Sequence, residues 1–61
     1  MEVSIERGRD CYALRRQKRL TQLDFAKTVG LERETLIGFE KERFNLDEET
    51  RQKIAEALER A

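Results

Sequence analysis

Apolar residues recur along this chain at helical spacing. Phe25, Ala26 and Val29 line up on one helical face, three and four residues apart, after a Thr21/Asp24 pair spaced like a capping box. That spacing predicts a helix from Gln22 to Val29, ended by Gly30, which accepts a left-handed conformation without a Cβ clash. Leu31 fills the turn, and a second helix from Glu32 to Lys41 buries Leu36, Phe39 and the stem of Glu40. Upstream, a helix from Arg7 or Gly8 to Lys18 or Arg19 turns Cys11 and Leu14 inward and Tyr12, Arg16 and Arg19 outward. Downstream, Asp47 is a good N-cap, and Glu48 and Glu49 suit the positive end of a helix dipole. The last helix then runs from Glu48 to near Arg60 and buries Ile54, Ala55 and Leu58, with Ala61 a candidate for the same face. For the first residues an irregular or extended start before the helix at Arg7 or Gly8 is favoured, with two other readings open. Val3 and Ile5 alternate with Glu2, Ser4 and Glu6 as in a short strand that could pair with a second copy, whereas Ser4 could equally cap the first helix.

A helix, a short turn containing Gly and a second helix, spanning Thr21 to Glu42, is the outline of a helix-turn-helix. The order of Leu14-Arg15, Leu20-Thr21-Gln22, Phe25-Ala26, Val29-Gly30-Leu31, Thr35-Leu36, Phe39-Glu40, Ile54-Ala55 and Ala57-Leu58 resembles the phage Cro and repressor family of DNA-binding proteins. The resemblance implies an all-α fold: a compact four-helix domain of the lambda-repressor type, residues 1–61, lacking the fifth helix that many relatives add. Two positions depart from the family pattern. Glu42 stands where relatives usually carry Gly, and Leu46 where Pro is common.

Composition narrows the picture. Sixty-one residues allow one domain with a small core. One cysteine and no histidine exclude an intrachain disulfide and a structural zinc site of the usual kind. The free thiol and the lack of a long apolar run or signal-peptide pattern point to a soluble cytoplasmic protein away from membranes. No glycine-rich phosphate loop is present, and without histidine, with one serine near the terminus and one cysteine turned inward, no nucleophile and base pair convincingly. Enzymatic activity, a cofactor and a small-molecule substrate are therefore not expected.

Formal net charge is zero, although DNA affinity rests largely on Lys and Arg neutralising phosphates. The distribution matters more than the sum. Residues 1–22 carry six bases against three acids, +3, and residues 42–61 four bases against six acids, −2, so one face can be basic on a neutral chain.

In a helix-turn-helix the second helix enters the major groove and the first lies across the backbone. Helical spacing sets Arg33, Glu34, Ile37, Gly38 and Lys41 opposite Leu36 and Phe39. Arg33 can bind guanine O6 and N7 in two hydrogen bonds, Glu34 can accept from cytosine N4, Ile37 can touch a thymine methyl, and Gly38 would allow close approach. Phosphate contacts are expected from Thr21 and Gln22 at a helix N-terminus and from Lys41, Arg43 and Asn45 beyond the far end. The resemblance implies a phosphate-binding role for Gln22 and a buried salt bridge between Arg15 and Glu40. Glu32 and Glu34 put two carboxylates at the mouth of the groove helix, where relatives often carry Ser, Thr or Gln.

The expected function is sequence-specific binding of double-stranded DNA, as a transcriptional regulator or DNA-binding module. Such motifs cover few base pairs and usually act as homodimers on half-sites about 34 Å apart. The alternative is a protein-interaction module, antitoxin-like or adaptor, using an apolar patch of Leu23, Ile37 and Phe44. The run from Leu46 to Ala61 is regular enough in capping and propensity to suit a designed member as well as a natural one.

Overall fold

Three of the four helices begin at a side-chain acceptor for otherwise orphaned N–H groups. In the computed structural model, which describes residues 3–61, the helices are α1 (Gly8–Gln17), α2 (Gln22–Val29), α3 (Arg33–Glu40) and α4 (Glu48–Arg60). At α1 the Asp10 carboxylate accepts from the backbone N–H groups of Glu6 and Arg7, at 3.2 and 3.1 Å. Thr21 Oγ1 accepts from Asp24 N at 3.1 Å to open α2, and Asp47 Oδ1 accepts from Thr50 N at 3.0 Å to open α4. The bond to Thr50 holds the Asp47 carboxyl below the usual carboxylate range. Glu32, the N-cap of α3, makes no such bond.

Three helices also end alike. After α1, α2 and α3 the chain turns through a left-handed residue, Arg19 (φ 60°), Gly30 (φ 74°) and Glu42 (φ 60°). The following N–H reaches back to the helix: Leu20 to Arg15 O, Leu31 to Ala26 O, and Arg43 to Gly38 O. This is the Schellman arrangement, and only the middle instance has the residue type that adopts it without strain. The Gly-to-Glu departure at position 42 therefore leaves the turn geometry unchanged and places a side chain in a conformation that costs about 1–2 kcal/mol.

The core joins Cys11 of α1, Phe25 and Ala26 of α2, Leu36 and Phe39 of α3, and Ile54, Ala55 and Leu58 of α4. Each large apolar side chain buried this fully contributes about 1.5–3 kcal/mol. α3 packs against α1 and α2, and α4 packs against the same two helices. Ala61, a candidate for that core face, is exposed at the chain end instead.

Among the described residues the start of the chain is irregular up to the helix start expected at Arg7 or Gly8. No strand occurs among the described residues, and the N-cap of α1 is Arg7 rather than Ser4; the share of the strand pattern that rests on Glu2 lies outside the described residues. Residues 3–6 instead run as an extended strap along α4. Val3 N donates to Glu59 Oε1 at 2.8 Å, Arg51 Nη1 donates to Glu6 O at 3.2 Å, and Ile5 is driven into the core. α1 then starts against the end of α3. A Cβ built on Gly8 would lie 1.6 Å from Phe39 O, so only glycine permits this approach.

Candidate nucleic-acid interface

α3 carries two sets of charged residues with different fates. At its C-terminal end Glu40 is buried, and its carboxylate is surrounded by donors from two other helices. Arg15 Nε donates to Oε2 at 2.8 Å and Arg15 Nη2 to Oε1 at 3.0 Å, a two-pronged pairing that matches guanidinium to carboxylate. Gln22 Nε2 donates to Oε1 at 3.2 Å, and the Cys11 thiol to Oε2 at 3.4 Å. Arg15 Nη1 is satisfied by Leu20 O at 2.7 Å. Bonding to Glu40 raises the guanidinium's pKa further, and burial, with the Glu40 charge second, pushes the Cys11 thiol far above its ordinary range. The pair expected from the family resemblance thus forms, and Cys11 and Gln22 complete it.

At the N-terminal end the picture reverses. Arg33 and Glu34 occupy the first turn of α3, exposed, and neither side chain has a hydrogen-bond partner among the described residues. Ile37 follows one turn on, half-buried, and Lys41 is exposed at the C-cap. Helical geometry places these four on one side, away from Leu36 and Phe39.

Gly38 does not belong with them as an open position, as the sequence suggested. It is buried under the Phe44 ring: a Cβ there would lie 2.5 Å from Cε2 and 2.8 Å from Cζ. The Schellman turn at Glu42 folds the chain back over α3 and causes this. Phe44 itself is 46% exposed.

Among the expected phosphate ligands, Thr21 and Lys41 are free of tertiary bonds from their side chains, although the Thr21 oxygen caps α2. Gln22 is tied to Glu40 through one amide N–H, which leaves its second N–H available. Arg43 is exposed. Asn45 differs: Oδ1 accepts from Leu46 N at 2.8 Å and Nδ2 donates to Glu6 O at 3.4 Å, so its amide holds the loop against the N-terminal strap rather than standing free. Around the start of α2, Tyr12, Arg15, Arg16, Arg19, Leu20, Thr21 and Gln22 line a shallow depression of about 550 Å³. Three arginines and no carboxylate face it. Arg16 Nη1 donates to the Tyr12 hydroxyl at 2.7 Å, and both Arg15 and Arg16 lie within 6 Å of the Tyr12 ring, at 5.6 and 5.5 Å. From the sequence Arg16 is only outward-facing; it lies in α1 and Thr21 at the start of α2, so no helical period signals that they share a surface.

Leu23 is 47% exposed on α2 and does not pack beneath the N-terminal strap. No helix among the described residues is long and apolar enough to cross a membrane, and no group of three or more potential metal ligands occurs among them. A family model described as helix-turn-helix matches residues 12–60. No curated protein and no solved structure matches the chain.

Proposed function

The chain belongs to the helix-turn-helix family, a family of DNA-binding rather than enzymatic domains, and on that premise we propose that it binds double-stranded DNA sequence-specifically, as a transcriptional regulator. α3 enters the major groove with its N-terminal turn foremost. The observation that carries this reading is the pair of unpartnered, exposed side chains Arg33 and Glu34 at the leading turn of a helix whose other charge is fully consumed inside. Arg33 takes guanine in two hydrogen bonds, Glu34 accepts from cytosine N4, and Ile37 meets a thymine methyl. Strand phosphates lie against the start of α2, where the Thr21 hydroxyl, the second Gln22 N–H and the arginine-lined depression meet free helix N–H groups. Lys41 and Arg43 hold the other strand's phosphates. Two copies bind a two-fold site with half-sites about 34 Å apart.

Selection from a randomised duplex library at two salt concentrations tests the proposal. A short enriched motif, bound more weakly at the higher salt, is the expected result. No enrichment at either salt would instead favour a protein-interaction module using the exposed Leu23 and Phe44 beside Ile37.

A further inference from the structure

We propose that Phe44, a loop residue outside the helix-turn-helix itself, reads a thymine in the major groove from a seat on Gly38. The inference rests on the DNA-binding reading above and extends it to a residue that helix periodicity does not nominate.

Position 38 lies one turn beyond Glu34 on α3. A side chain there would project toward the bases with its neighbours. Glycine supplies none, and the ring of Phe44 takes its place. Its far edge occupies the volume of the missing Cβ, 2.5 Å from Cε2, 2.8 Å from Cζ and 3.5 Å from Cδ2. The placement is fixed by backbone: Glu42 turns left-handed, and Arg43 N bonds to Gly38 O at 3.0 Å, which brings the next residue back over the second turn of α3. Having given one edge to Gly38, the ring keeps nearly half its surface open. The result is an apolar group, anchored at both backbone and ring, above the residue one turn beyond Glu34 on α3. An apolar group so placed recognises the one apolar feature of the major groove, the thymine C5-methyl.

The test uses the enriched duplex and replaces each thymine in turn by uracil, which removes only that methyl. Binding by the wild-type protein weakens about fourfold at one position, the worth of one buried methyl group. Phe44→Ala shows no penalty at that position while Ile37→Ala retains it. Gly38→Ala provides a second route: its added methyl displaces only the outer edge of the ring, so the fold survives, as thermal melting verifies, and the same uracil penalty disappears. If Phe44→Ala keeps every uracil penalty of the wild type, or if the wild type binds its motif with no uracil penalty anywhere, the ring is a cover for Gly38 and the inference is wrong. A wild-type protein that enriches no motif removes the DNA-binding reading itself, and this inference falls with it.

Discussion

The two ends of α3 use the same kinds of side chain for opposite purposes. Glu40, at the C-terminal end, has its carboxylate filled by Arg15, Gln22 and Cys11, and is spent on joining α1, α2 and α3. Arg33 and Glu34, at the N-terminal end, are exposed and make no side-chain hydrogen bond or ion pair among the described residues. Burial decides between them. In the interior a charge must be paired or it destabilises the fold, whereas at the surface it can wait for a partner with little effect on stability. A zero net charge consequently says little about binding here, because it is a sum over the chain, whereas Arg16 and Arg19 are exposed together at one depression with no carboxylate among its lining residues.

The strongest way to break the comparison is to unpair the inner end. Arg15→Met leaves the Glu40 carboxylate buried with only the thiol and the Gln22 amide, and the expected cost in chemical denaturation is about 3–5 kcal/mol. A double variant, Arg15→Met with Glu40→Met, recovers most of that loss, because two buried charges are replaced by apolar volume. If the single variant were as stable as the wild type, Glu40 would be a surface-like charge and the contrast would disappear.

A smaller effect is expected next to that pair. Gly8→Ala forces a methyl into Phe39 O and pushes α1 from the end of α3, costing about 1–3 kcal/mol by overpacking. Thermal melting checks it, and a neutral result would mean the helix start shifts freely.

Smaller still, and opposite in sign, is the relief of strain just past the helix ends. Glu42→Gly, and separately Arg19→Gly, remove a left-handed residue that carries a Cβ, against the added chain entropy of glycine. The net gain expected in denaturation midpoints is up to about 1 kcal/mol. Glu42→Gly removes no group assigned to DNA and should leave DNA binding unchanged, whereas Arg19→Gly also removes an arginine of the phosphate-facing depression and should weaken binding to all duplexes with preference intact, which sharpens the distinction between fold and interface.

Local signals told most of the helix story. Thr21 and Asp47 announced helix starts, Gly30 a helix end, and the spacing of Phe25, Leu36, Phe39, Ile54 and Leu58 the buried faces, since caps and periodicity act within one or two turns. What escaped depends on distant parts of the chain. Gly8 matters because Phe39, far along the sequence, passes over it. Gly38 looked like an opening for DNA because nothing local reveals that Phe44 folds back onto it. The strap from Val3 to Glu6 has too few residues to show a period, and its bonds go to Arg51 and Glu59 at the other end of the chain. Arg19 and Glu42 gave no hint of a left-handed turn, because the usual marker of one is glycine. The bond from Asn45 to Glu6 O was hidden for the same reason: its acceptor lies far away along the chain.

The most direct test of a helix divided between fold and interface is Arg33→Ala, measured for stability and for DNA preference on the same preparation. The denaturation midpoint should stay within about 0.5 kcal/mol of the wild type. Binding to the enriched duplex should weaken by about 1–3 kcal/mol, with preference relaxed at a single guanine. Uniformly weaker binding to all duplexes with preference intact, or a collapse in stability, would contradict the assignment of Arg33 to the bases.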